Sequence, residues 1–381
     1  MTDQNLTRRR FLGLAAGGAA AAALLSACGG GDDTATTATT LPTPGQAPAK
    51  DFGGKTITTA VYAKNHASSP LEWQRFAPPG LTVKPVIVTS PADISRLLAS
   101  GELDFGLMGY YNTLIEATTT GMQSKIIGMC SRQGIGLIAR ADRGIKTVAD
   151  LKGKKIAVPP PGVQGLALNA ALDKVGLKLD RDVTAVPVAF ADHPAVLDRG
   201  DVDAYMGTEP LCTQSVVSGR GVRINELYGT PAGDINTAMW ASPKNLNDAD
   251  LLTAVSKMQR DAAEYFTPNG VNAAEPWRKL LVEQFEYSEP VYKAVLENVG
   301  AVWRFDQTRK AQFEGAAEMM LTQGIVTSKP KIDDLLLLDY QPKSCGPGRL
   351  ITWRFARSRA TPVWTSATCW APAGRSPPAG G

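Results

Sequence analysis

Short apolar runs alternate with amphipathic stretches along most of this chain. A first set of β-rich runs covers 56–62, 82–88, 105–108, 125–129 and 135–139. Between them lie stretches such as 91–100, where Ile94, Leu97 and Leu98 recur at helical spacing. A second set of runs follows at 155–158, 185–188, 204–206 and 222–227, with helices predicted over 165–175 and 193–198. Strands alternating with helices predict an α/β fold with mostly parallel sheets. After one more strand at 235–241 the pattern turns helical. Residues 246–266, 275–285, 289–299 and 308–322 each carry an apolar face of period 3.6.

The two ends break this pattern. Thr7-Arg8-Arg9-Arg10-Phe11-Leu12 precedes a Gly/Ala/Leu run that ends in Leu25-Ser26-Ala27-Cys28. A charged start, an apolar run and small residues before a cut site describe a secretory signal. The run is too short and too rich in Gly and Ala for a membrane span. The paired arginines resemble a twin-arginine export signal. Leu-Ser-Ala-Cys resembles a bacterial lipobox, in which Cys28 is lipidated and becomes the mature N-terminus. Residues 1–28 are therefore expected to be a lipoprotein signal peptide, and the Gly/Thr/Pro/Ala segment 29–50 a flexible tether. Residues 345–381 contain no Asp, Glu, Lys or His and show no periodicity. They are expected to be either a disordered extension or the product of a shifted reading frame.

Composition narrows the function. The 381 residues have room for two ordinary domains, and 44% hydrophobic residues can supply their cores. The formal charge of +4 comes from the ends, with a net +1 over residues 1–50 and five arginines without an acid in 345–381, so the middle is a formal −2. No basic cluster is present to displace counterions, which argues against nucleic acid as a partner. Of the five cysteines, Cys130 and Cys212 sit in or beside apolar segments, where pairing and simple burial both remain open. With no C-x-x-C and only His66 and His193 as histidines, a His/Cys metal site has little support. Gly134-Ile135-Gly136-Leu137-Ile138-Ala139 matches G-x-G-x-x-A, but it lies inside a strand rather than opening a helix, so it is not a dinucleotide fingerprint.

Four motifs in order carry a family resemblance. They are Gly144-Ile145-Lys146-Thr147-Val148-Ala149-Asp150-Leu151-Lys152-Gly153-Lys154-Lys155-Ile156-Ala157-Val158, the Gly101-Glu102-Leu103-Asp104-Phe105-Gly106 turn, Gly176-Leu177 with Asp182-Val183, and Gly200-Asp201-Val202-Asp203-Ala204 leading to Glu209-Pro210. Over about 52–340 the chain resembles substrate-binding proteins of the nitrate/sulfonate/taurine and thiamine-precursor type, which serve ABC importers. The resemblance implies a two-lobed periplasmic-binding-protein-like fold of type II, each lobe a mostly parallel sheet flanked by helices. Lobe 1 would take 51–138 and 238–344, and lobe 2 would take 139–237, with hinge crossings near Arg140 and Asn236. It further implies a monomer on the outer face of the cytoplasmic membrane, held there by lipid on Cys28. Such a protein closes on a small organic anion or heterocyclic precursor and docks on an ABC permease, with no cofactor and no chemistry on the ligand. Two rivals stand beside this reading: a ligand sensor for a membrane receptor, and a pyrimidine-precursor synthase-like enzyme, which shares the fold but would need a catalytic His/Cys/metal constellation and has little use for lipoprotein export.

Ligands of such sheets bind beyond the carboxyl ends of parallel strands, where helix N-termini offer free N–H groups and partial positive charge. Three strand-to-helix turns qualify: His66, Ser68 and Ser69; Gly109, Tyr110, Tyr111 and Asn112; and Gly162, Val163 and Gln164. Gln133 and Gly134 join them ahead of the hinge strand. Each has a plainer role available, Ser68 and Ser69 as helix caps and one of the adjacent tyrosines turned away from the cleft. Many relatives place a Gly-Ser pair where this chain has Gly162-Val163-Gln164, which removes a hydroxyl donor from a simple oxyanion site. Glu209 stands open between binding a ligand amine and holding structure.

Overall fold

In a computed structural model the chain is described over residues 50–343, apart from 89–90, 120, 122, 160–161 and 229–233, and as backbone strands over 350–357 and 362–370. Cys28 and the rest of residues 1–49, expected to form a signal peptide and tether, lie outside the described residues. The first lobe begins with β1 (Lys55–Tyr62), β2 (Leu81–Val88), α1 (Pro91–Ser100), β3 (Phe105–Gly109), α2 (Tyr110–Thr119) and β4 (Lys125–Gln133). The chain then builds a second lobe from β5 (Ile135–Arg140), β6 (Lys155–Val158), α3 (Val163–Lys174), β7 (Thr184–Pro187), α4 (His193–Arg199), β8 (Ala204–Thr208), α5 (Leu211–Val217) and β9 (Gly221–Ile224). It returns through β10 (Ile235–Ala241), followed by α6 (Ala249–Phe266), α7 (Ala274–Arg278), α8 (Glu289–Val295), β11 (Val299–Ala301) and α9 (Gln307–Thr322). In the tail, β12 (Leu350–Arg357) and β13 (Pro362–Trp370) pair antiparallel as a two-stranded sheet.

Strand order is β11-β4-β10-β3-β1-β2 in lobe 1 and β7-β6-β8-β5-β9 in lobe 2. The sheets are mixed rather than mostly parallel. β1 pairs parallel with β2 and β3, and β6 with β7 and β8, whereas β10 and β5 run against their neighbours. The reason is the chain path. β3 and β8 end at the edge where the lobes face each other, while β10 and β5 start there, having just crossed from the other lobe.

The first crossing also falls earlier than the Arg140 expected from the sequence. Gln133 still pairs with Val299 in the first sheet, and Ile135 already pairs with Thr208 in the second. The pivot is at Gln133 and Gly134, both at positive φ (54° and 80°). An apolar run at 135–139 fits either sheet equally well, so hydrophobicity alone could not place the break. The return crossing lies between Ile224 and Ile235.

Two motif aspartates have matching structural jobs. The Asp104 carboxylate, just before β3, accepts the Thr58 N–H of β1 at 2.8 Å. Asp203, just before β8, accepts the Lys155 N–H of β6 at 3.0 Å. Each thus ties the start of one parallel strand to its neighbour. Burial works to raise the Asp104 carboxyl, but hydrogen bonds from Asn245, Thr58 and Lys244 outweigh it and hold it below the ordinary carboxylate range.

The long helix α6 starts at Asp248, whose carboxylate accepts the Leu251 N–H. Its buried face carries Leu251, Leu252, Val255, Met258, Ala262 and Phe266. On this face Gln259 is fully used: Ser69 and Trp73 donate to its Oε1, and its Nε2 donates to the Met129 and Val302 carbonyls. The predicted helix at 275–285 becomes α7 continued by a π-helical turn, Lys279–Gln284. The one at 289–299 stops at Val295, leaving Val299–Ala301 as an edge strand.

Candidate functional site

The lobes meet along the carboxyl ends of β1 and β3 on one side and of β6 and β8 on the other. Among the described residues, hydrogen bonds span the seam at both of its ends. Asn65 Nδ2 donates to Thr208 Oγ1 (3.2 Å), the His66 N–H donates to the Glu209 carbonyl (3.4 Å), and Asn169 Nδ2 donates to Gln323 Oε1 (3.4 Å). Between them the contact is apolar. α2 packs on α3 and α9, and Tyr110, Tyr111, Leu114, Phe313 and Ala317 share one core cluster with Val163, Leu166 and Ala167.

His66, Gly134 and Glu209 come together at one end of the seam. His66 Nδ1 lies 3.3 Å from the Glu209 carbonyl oxygen, and the Glu209 N–H donates to the Gly134 carbonyl at 2.9 Å. The imidazole covers Gly134 so closely that a Cβ there would sit 1.9 Å from Nε2. Burial lowers the His66 pKa to about 4, opposed by its bond to the Glu209 backbone, so the ring is neutral at pH 7. The Glu209 side chain points to a structural role. Its carboxylate accepts the Thr213 N–H at 3.0 Å and pairs with Arg223, and it has no solvent exposure.

The serines divide. Ser68 Oγ donates to the Asn65 carbonyl within its own turn. Ser69 is drawn into the lobe 1 core by Gln259 and Cys130. Cys130 and Cys212 are both buried free thiols. Gly109 closes β3, its carbonyl accepting from Thr113, and Gln133 donates its N–H to the Asp234 carbonyl at 2.7 Å.

At the other end of the seam, Tyr110, Tyr111 and Asn112 open α2, and Gly162, Val163 and Gln164 open α3. Gly162 gives α3 no side-chain cap, which leaves the first-turn N–H groups to another partner. Tyr110, Tyr111 and Gln164 are only 2%, 6% and 6% exposed. None of these three side chains has a hydrogen-bond partner among the described residues. Burial raises the pKa of both phenols, so each remains a neutral donor. Asn112 is half-buried beside them.

Several seam residues escaped the sequence reading. Tyr228 donates to the Ile135 carbonyl at 3.0 Å, and Tyr287 donates to the Lys64 carbonyl at 3.3 Å. Arg223 offered a weak signal, a cation between Val222 and Ile224 on a strand. Asn65 and Thr208 offered none, because they lie 143 residues apart in the chain.

Comparison with known proteins places this arrangement. The sequence profile of the NMT1/THI5-like family matches residues 75–267, just over half of the chain. The chain belongs to the NMT1/THI5-like family. A binding protein of Brucella abortus is 33% identical over 149 residues, which make up 37% of this chain and 42% of that protein. The 4-amino-5-hydroxymethyl-2-methylpyrimidine phosphate synthase of Schizosaccharomyces pombe is 30% identical over 138 residues, 36% of this chain and 38% of that protein. The chain therefore spans about two fifths of the length of these curated relatives. In structure, the alkanesulfonate-binding protein SsuA of Xanthomonas axonopodis pv. citri, bound to MOPS, superposes with a TM-score of 0.63. The identity is 20%, and the match covers 76% of this chain and all of that one. This NMT1/THI5-like chain thus has the type II two-lobed fold of periplasmic binding proteins.

Proposed function

We propose that the chain is an extracytoplasmic solute-binding lipoprotein of an ABC importer, anchored through Cys28, that captures a small organic anion or heterocyclic precursor between its lobes. The observation that carries this is the trio Tyr110, Tyr111 and Gln164, polar groups buried at the facing first turns of α2 and α3 without partners among the described residues. A hydrogen bond from a ligand to each of these groups adds about 0.5–1.5 kcal/mol net. The α3 N–H groups would favour the electron-rich end of the ligand, and the apolar seam would take its body. Closure about Gly134 and the 224–235 crossing then makes contacts with both lobes at once. The two-lobed fold shared with SsuA supports this mechanism, and the closed chain would be the form presented to a permease.

The test is a thermal-shift screen of the purified chain against alkanesulfonates, nitrate, aromatic carboxylates and pyrimidine or flavin precursors. A ligand at 100 times its Kd adds about 2.7 kcal/mol, a shift of several degrees at this size. A response in one class, lost in a Tyr110→Phe/Gln164→Leu chain, supports the proposal. A folded chain silent across all classes opposes it. The fission-yeast synthase relative and the seam position of His66 favour a second reading, an enzyme acting on a pyrimidine precursor. Recovery of a chemically altered ligand after incubation would select it.

A further inference from the structure

We propose that His66 is a proton-operated latch: its neutral imidazole holds the lobes closed, and protonation of the ring releases them. The role presupposes the solute-binding function proposed above.

The ring is gripped by three elements that belong to different parts of the molecule. It sits on the turn after β1, lies flat against the crossing at Gly134, and bonds the Glu209 carbonyl at the end of β8. Only 3% of the residue is exposed. Facing a carbonyl oxygen, Nδ1 must carry the proton of the neutral ring. A second proton adds a full charge inside a site closed to water. The charged groups nearby have partners of their own. Lys64 pairs with Glu286, and the Glu209 carboxylate with Arg223. The phenol of Tyr287, which bonds Lys64, is pushed up to about 12 by burial and the Glu209 charge and so stays neutral.

Separating the lobes withdraws the Glu209 carbonyl and lets water reach the imidazole, which then titrates near its ordinary 6.5 rather than about 4. The open form therefore binds a proton more readily than the closed one. Closure is at full strength above 6.5 and weakens as pH falls, by up to about tenfold per pH unit. Below about 4 both forms are protonated and the effect stops. His193 is the contrast: also buried and lowered to about 4, it bonds the Val188 carbonyl and packs between Phe190 and Tyr205, all within lobe 2.

Hydrogen exchange on the ligand-free full chain, corrected for the intrinsic pH dependence of exchange, tests this. In the wild-type chain, the amide of residue 66, which donates to the Glu209 carbonyl across the seam, should lose protection between pH 7 and 4.5, by up to about a hundredfold, while β3 amides stay protected. His66→Gln should abolish that pH dependence, and His193→Gln should leave it intact. A seam with constant protection in wild type overturns the latch, as does a His66→Gln chain that follows wild type. Loss shared equally by β3 reports acid unfolding and also counts against it. Because no ligand is used, a flat profile rejects the latch alone, whereas silence in the ligand screen rejects the binding function alone.

Discussion

Arg223 and Glu209 form an ion pair whose acidic partner is completely buried. Removing the cation strands that charge, so Arg223→Met should cost about 3–5 kcal/mol in urea unfolding. Replacing both partners with neutral residues, in an Arg223→Met/Glu209→Gln chain, should cost clearly less. Equal losses in the single and double variants would show that the pair is not coupled.

Gly134→Ala meets two obstacles at once: a φ of +80° and a Cβ that falls 1.9 Å from His66 Nε2. Backbone strain of about 1–3 kcal/mol adds to overpacking of similar size. Gly144→Ala, at φ +67° with nothing within 4 Å, carries only the strain. Denaturant midpoints should therefore rank wild type, Gly144→Ala and Gly134→Ala in falling order.

Asp104→Asn removes a charged acceptor of the Thr58 N–H, with a loss of about 1–3 kcal/mol at pH 7. The folded carboxyl lies below its ordinary 3.8, so its contribution is present above that value. It disappears as pH falls through the lower folded value. The stability gap between wild type and variant should narrow only in strong acid. A gap that closes near pH 6 would assign it to another group.

Tyr110→Phe deletes a buried hydroxyl without a partner among the described residues. Stability of the free chain should hold or rise slightly, while affinity for the screened ligand should fall about tenfold. Isothermal titration separates the two effects. A loss of stability with unchanged affinity would mean that the hydroxyl serves the fold.

Much of this architecture was legible because local patterns suffice for it. β3 reads as a continuous apolar run and is buried along its whole length, and α6 shows its apolar face. The three strand-to-helix turns were found for the same reason. What could not be read depends on pairs distant in sequence. Ser69 looked like a ligand-facing cap until Gln259, 190 residues on, claimed its hydroxyl. Glu209 was ambiguous until Arg223 stood beside it. The mixed sheet direction and the pivot at Gly134 follow from where the chain crosses between lobes, which no window of local periodicity contains.

The apolar seam gives lobe separation a thermal signature. Tyr110, Leu114, Phe313, Val163 and Leu166 belong to one interior that opening would divide. Parting the lobes is thus an act of hydration, with a positive heat-capacity change, and it becomes easier in cold water. Under the proposed solute-binding function, such a chain would hold its ligand more loosely on cooling.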